Sequence, residues 1–244
     1  MAKKIIFIIL LILTVDQVVK IWVKTQMAPT PGQVVFHQLE PDEDGVIAYN
    51  PNHKPEEYKL IPGFFEMTYT ENQGMAFGTK ISNAWWGKLF LSVFRLLAII
   101  GIGYYLYTLI REQKGFGFIL SIGLIFAGAF GNLIDSMLYD FIFPLEPQYT
   151  FNYTCSDFTN ECLRPSGFLF GNVVDMFHFT VEWPSWWPGW LRIGDSERVF
   201  PAIFNVADIS ITFGVGMIIL RYRSIFGKKK ESVEEETPTT EVTE

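Results

Sequence analysis

Four long apolar runs constrain this chain more than any other feature. They cover about residues 5–23, 89–110, 116–134 and 203–220. Each is close to the length of about 20 residues that a helix needs to cross the hydrocarbon of a bilayer. Lipid offers the backbone no hydrogen-bonding partner, so such runs must bond internally and are expected to be helices. Composition agrees: 49% of the 244 residues are hydrophobic and only 18% are charged, a balance shifted away from ordinary soluble domains. The predicted architecture is an all-α membrane protein with four transmembrane helices. Two outer loops, 24–88 and 135–202, hold a small extracytoplasmic β-containing subdomain and an interfacial segment.

The formal net charge of −7 does not describe the membrane part, because the charges are segregated. Lys3 and Lys4 precede the first run, Arg111 and Lys114 lie between the second and third, and Arg221, Arg223 and Lys228 to Lys230 follow the fourth. Positive flanks stay on the cytoplasmic side, which puts both termini inside and both long loops outside. The six glutamates of residues 231–244 belong to a tail without an apolar run, so residues 1–227 read as one membrane domain and 228–244 as a disordered, solvated extension. The basic start and the run to Val15 also resemble a cleavable leader, but no small-x-small site follows before Asp16-Gln17-Val18-Val19-Lys20. A retained helix is the favoured reading.

Tryptophan checks the orientation independently. Trp22, Trp85, Trp86, Trp183, Trp186, Trp187 and Trp190 all fall at outer helix ends or in outer loops, where amphipathic rings favour the headgroup layer. Pro184, Pro188 and Gly189 break the segment 181–190, which is expected to lie along the interface rather than span it. Phe64 to Thr70 has strand-forming composition and runs into a turn-like Glu71-Asn72-Gln73-Gly74. Cys155 and Cys162 lie in the second outer loop, as a disulfide or as two thiols. With His37, His53 and His178 scattered, they make no metal-ligand set.

Charges inside apolar helices are costly and each demands an explanation. Asp16 and Lys20 are four apart and share a helix face; they form either a self-neutralising pair with Lys20 reaching outward, or part of a polar site. Arg95, deep in the second run, either snorkels or bridges to a carboxylate on a neighbouring helix. At the outer end of the third run, Gly128 and Ala129 permit close packing, and Asn132 and Asp135 share a face. Asn205 and Asp208 repeat the amide–carboxylate spacing at the start of the fourth, and Asp175 sits among apolar residues between them. Two carboxylates at short range share a proton, so one serves as base towards water while the other polarises a carbonyl.

At these residues the chain resembles bacterial lipoprotein signal peptidase, the type II signal peptidase. The matching elements are VDQVVK (15–20), ENQGMAFG (71–78), GAFGNLID (128–135), VVDMF (173–177) and FNVADISI (204–211), in the family's order. The resemblance implies a four-helix aspartyl endopeptidase of the bacterial inner membrane, with its site near the outer face. Its substrate would be a diacylglyceryl-modified prolipoprotein, cut before the lipidated cysteine, with membrane lipid around it and no metal, cofactor or nucleic acid. It further implies Asp175 and Asp208 as the catalytic pair, supported by Asp16, Lys20, Asn72, Gly74, Gly128, Asn132 and Asn205.

Two departures bear on the site. The family has arginine directly after the aspartate of GNLID, and this chain has Ser136, which makes Arg95 a candidate replacement. The family also joins GNLID to the second aspartate by a short link, whereas residues 136–172 intervene here and introduce Asp140 as a rival to Asp175. Asp175 is preferred because both preceding valines are kept. The competing functions are another intramembrane aspartyl protease, a transporter or channel subunit, and an inactive lipid-binding relative.

Overall fold

The structure is a computed structural model that describes residues 1–27, 57–72, 85–143, 167–188 and 198–226. Four helices, α1 (Ala2–Gln26), α2 (Trp85–Arg111), α3 (Phe116–Ile142) and α4 (Val206–Phe226), accompany three strands, β1 (Tyr58–Ile61), β2 (Phe65–Asn72) and β3 (Val173–Phe179). Among the described residues, three helices are long and apolar enough to cross a membrane: Ala2–Gln26, Trp86–Arg111 and Phe116–Ile142. In α4 the apolar stretch Val206–Leu220 is shorter. The expected β element is present as one small sheet. Gly74, Cys155 and Cys162, Trp190, His37, His53 and the acidic tail lie outside the described residues.

α3 is the central helix, packed against α1, α2 and α4. Half of its most apolar stretch is buried, against about a fifth for α1 and α2. The outward faces of α1 and α2 carry exposed Phe7, Leu10, Leu11, Val18, Phe90, Phe94, Leu97 and Ile100, the surface expected of helices that face acyl chains rather than water. Inside, Ile5, Ile9, Leu106, Leu109, Ile119 and Ala127 form one apolar cluster between helices. The α3–α4 contact depends on Gly128, where a Cβ would lie 2.2 Å from the Ala207 carbonyl oxygen, so only glycine lets the two backbones approach this closely.

α3 continues two turns past the boundary expected at residue 134, so Asp135, Ser136, Tyr139 and Asp140 are helical rather than part of the outer loop. Glu71 and Asn72 likewise belong to β2, not to a turn. Turn-forming composition is a weak local preference, and here pairing with β3 overrides it.

The sheet is antiparallel in the order β1-β2-β3. β2 and β3 pair as Phe65↔Phe179 and Met67↔Phe177, then shift by one residue and continue as Thr70↔Asp175, Glu71↔Val174 and Asn72↔Val173. Such a bulge changes which face each later side chain occupies. Beyond it, Asn72 and Asp175 share one face, while Glu71 and Val174 share the other. The back face joins a cluster with Val23 and Met27 of α1 and Tyr139 of α3, in which Val174 and Met176 are wholly buried. The segment before α4 crosses the sheet at Phe204, which exchanges hydrogen bonds with Phe177 at 2.8 and 2.9 Å. That crossing delivers Asn205 to Asp175.

Candidate active site

The first turn of α4 builds half of the site. Asn205 precedes the helix, and its side-chain oxygen accepts the Asp208 N–H at 3.0 Å, while Asp208 Oδ2 accepts the Asn205 N–H at 3.2 Å. This reciprocal arrangement is a capping box, which satisfies two donors left open by the helix start. A third, the Ala207 N–H, donates to Asp16 Oδ1 of α1 at 2.8 Å. The helix N-terminus also favours an anion at this position.

The amides have fixed orientations. Asn205 uses its oxygen on Asp208, so its Nδ2 is left to donate, and it reaches Asp175 Oδ1 at 2.6 Å and Asn132 Oδ1 at 3.1 Å. Asn132 Oδ1 also accepts Lys20 Nζ at 2.8 Å, which turns the Asn132 Nδ2 towards Asp208 Oδ1 at 2.9 Å. An amide that accepts on one side must donate from the other, so both asparagines face the carboxylates as donors. Asn72 completes the set, donating to Asp175 Oδ2 at 3.0 Å.

Asp175 therefore lies on β3 between two amides, only 2% exposed. Burial, and then the neighbouring Asp208, push its carboxyl up to about 7, against the pull of Asn72, Lys20 and Asn205. A carboxyl so placed holds a proton near neutrality, as one member of a two-carboxylate site must.

Lys20 does not reach outward. It is fully buried and forms ion pairs with Asp16 Oδ2 at 2.9 Å and Asp135 Oδ2 at 2.8 Å. Snorkelling loses because two carboxylates and the Asn132 oxygen surround the ammonium, and a paired buried charge is far better off than a lone one. Gln17 ties the same carboxylates together, donating to Asp135 Oδ1 at 2.9 Å and Asp16 Oδ2 at 3.1 Å, and accepts Tyr139 Oη at 3.2 Å. Gln17, inside the VDQVVK motif, and Tyr139, beside Asp140, are not among the expected site residues. Their signal is a glutamine in the first apolar helix and a tyrosine one turn past Asp135.

Asp175, Asp208, Asn72, Asn132 and Arg95 line a common cavity of about 900 Å³. The rest of its wall is largely apolar and includes Phe64, Phe65, Phe94, Phe179, Phe200 and Phe213. Arg95 is half-buried in α2 on this wall, and its charge acts on Asp208 and Asp175. Asp140 lines no part of it; its Oδ2 accepts the Gly167 N–H at 3.0 Å. Ser136 is 2% exposed, and its carbonyl accepts the Gly171 N–H at 3.0 Å. A Cβ on Gly171 would lie 2.2 Å from the Asp135 oxygen, so the chain returning to β3 occupies the space beside Ser136. Among the described residues no group of three or more His, Cys, Asp or Glu is placed to hold a metal ion.

A family model described as signal peptidase (SPase) II matches residues 8–224. The lipoprotein signal peptidase of Porphyromonas gingivalis strain ATCC 33277 is 34% identical over 230 residues, covering 90% of this chain and 83% of its own length. That of Amoebophilus asiaticus strain 5a2 is 28% identical over 245 residues, covering 97% and 83%. A solved bacterial membrane enzyme structure, 21% identical, covers 90% of this chain and 92% of that chain with a TM-score of 0.50, a likeness of fold.

Proposed function

The chain belongs to the signal peptidase II family, and from that premise we propose that Asp175 and Asp208 are the carboxylate pair with which it cleaves its substrate. It is a peptidase that removes the signal peptides of lipoproteins. The observation that carries the assignment of the pair is the bridging of Asp175 and Asp208 by Asn205 at the wall of one apolar cavity.

In the proposed reaction Asp208 is the base and Asp175 the acid. Asp208 takes a proton from water as its oxygen attacks the scissile carbonyl carbon, and Asp175 gives its proton to the carbonyl oxygen. When the resulting diol collapses, the C–N bond breaks and the amine takes the proton from Asp208. A diol hydroxyl returns a proton to Asp175, and both carboxyls regain their starting states. Asn132 and the Asn205 N–H hold Asp208, and Asn72 and Asn205 Nδ2 hold Asp175. Asp16, Lys20 and Gly128 fix the start of α4 against α1 and α3, and Gly74 is assigned to the site by the family motif alone.

The substrate in this reading is a diacylglyceryl-modified prolipoprotein, cut just before the lipidated cysteine. The phenylalanine-rich cavity wall supports acyl chains beside the scissile bond. α4 serves as a fourth span in a multi-pass inner-membrane protein, with residues 1–227 as the peptidase domain and 228–244 as a cytoplasmic tail. The basic flanks and outer tryptophans support termini inside and the site at the outer face. Mass spectrometry of products from lipidated and unlipidated forms of one precursor tests the substrate. Cleavage before cysteine only in the lipidated form is expected; equal cleavage of both would refute the lipid requirement.

A further inference from the structure

A second buried polar cluster lies behind the sheet, on the face opposite Asn72 and Asp175. The Glu71 carboxylate of β2 accepts hydrogen bonds from Lys24 of α1, from the Tyr69 hydroxyl, and from Asn172 Nδ2 at 2.8 Å. The Asn172 oxygen in turn accepts from Lys88 of α2. Glu71, Asn172 and Lys88 are 6, 7 and 8% exposed. One strand residue is thereby tied to α1, to α2 and to the chain entering β3.

The location of this tie gives it a consequence for the site. β2 and β3 change register by one residue between Met67 and Thr70, and only beyond that bulge do Asn72 and Asp175 share a face. With the register of Phe65↔Phe179 continued unshifted, Tyr69 would pair with Asp175. Glu71, not Asn72, would then stand beside it. A one-residue slip moves every side chain to the opposite face, so here it would exchange an amide donor for a second anion next to Asp175.

We infer that Glu71 is a positioning residue for the carboxylate pair, holding β2 in the register that presents Asn72 to Asp175. The inference rests on the reading that Asp175 is catalytic. Glu71 does not line the cavity that holds Asp175 and Asp208, and it acts through the strand. Its negative charge is part of the device: burial opposes it, but Lys24, with the Tyr69 and Asn172 hydrogen bonds, holds the carboxyl down at about 2. Lys88 brings a buried cation to Asn172, one residue from Gly171, whose N–H donates to the Ser136 carbonyl.

The test compares Glu71→Gln, Asn172→Ala, Asn72→Ala and the double variant Glu71→Gln/Asn72→Ala in purified full-length protein on a lipidated prolipoprotein. Glu71→Gln is expected to lower kcat about tenfold with KM changed less than about twofold, since positioning acts on the reacting atoms rather than on substrate binding. Loss of the Asn72 hydrogen bond raises the Asp175 pKa, so the alkaline limb of the pH profile should move upward in Glu71→Gln and in Asn72→Ala alike. The double variant should shift it no further, the non-additivity of a shared path. Asn172→Ala should shift the limb in the same direction, and it carries the test by itself if Glu71→Gln does not fold. A wild-type kcat and pH profile, or effects that simply add in the double variant, overturn the inference. Asp175→Asn in the same assay separates the two claims, because an active Asp175→Asn sinks the catalytic reading itself.

Discussion

Asn205 Nδ2 donates to Asp175 Oδ1 at 2.6 Å, the shortest amide contact to either carboxylate of the site. The same side chain caps α4 through the Asp208 N–H. One residue thus couples the strand that carries Asp175, the proposed acid, to the helix that carries Asp208, the proposed base. Asn205→Ala is expected to lose the cap, at about 1 kcal/mol of stability, and to lower kcat by about two orders of magnitude, the scale of a lost preorganised donor. Thermal denaturation in detergent and initial-rate kinetics measure the two effects separately. A kcat within about threefold of wild type would contradict this role.

Proton occupancy gives a second expectation. Asp175 must be protonated to serve as the acid, and its carboxyl is raised to about 7 by burial and by Asp208. The facing charged groups are Asp208 on α4, Lys20 on α1 and Arg95 on α2. Activity should therefore fall about tenfold per unit above about pH 7, as Asp175 loses its proton. The stability terms have opposite signs on the two faces of the sheet. Asp175, raised from an ordinary 3.8, contributes stability at low pH that is lost as pH rises towards about 7. Glu71, lowered from 4.5 to about 2, contributes stability above about 4.5 that is lost as pH falls towards about 2. Denaturation midpoints across pH should lose their acid-side slope in Glu71→Gln.

The membrane helices were legible because lipid allows one solution for a long apolar run. Their ends were less so: Asp135 to Ile142 continue α3 because Asp135 and Tyr139 find partners on α1, a tertiary reason that no local pattern announces. Asp175 and Asp208 stood out through motif order, and their shared cavity through the crossing at Phe204 only in three dimensions. Lys20 was misplaced in its outward-reaching reading because Asp135, 115 positions away, is invisible to helical spacing. Lys24, Glu71, Lys88 and Asn172 come from four separate segments, each unremarkable as a surface polar residue. Their union depends on the bulge in β2, which alternation alone does not reveal.

The link returning to β3 makes a packing prediction. At Gly171 an added Cβ would meet the Asp135 backbone oxygen at 2.2 Å, and backbone cannot swing aside as a side chain can. Gly171→Ala should destabilise by about 1–3 kcal/mol through forced displacement, and it should also reduce activity because β3 begins two residues later. Ser136→Arg should fail to restore the family's arginine function, since this buried position is already filled. Wild-type activity in either variant would show that the segment is less closely packed than described.

Arg95 lines the cavity with both carboxylates. Its removal is expected to lower kcat/KM about tenfold, with Arg95→Lys partly restoring it, as a general cationic role requires. Intact processing by Arg95→Ala would exclude Arg95 from the site's electrostatics.

The central claim is tested most directly by single-turnover cleavage of a lipidated prolipoprotein with the purified wild type and with Asp175→Asn, Asp208→Asn and Asp140→Asn. Asp175→Asn and Asp208→Asn should each be inactive while remaining folded, and Asp140→Asn, whose carboxylate accepts the Gly167 N–H and lines no part of the cavity, should retain cleavage. Cleavage by Asp175→Asn together with its loss in Asp140→Asn would contradict the assignment and move the acid to α3.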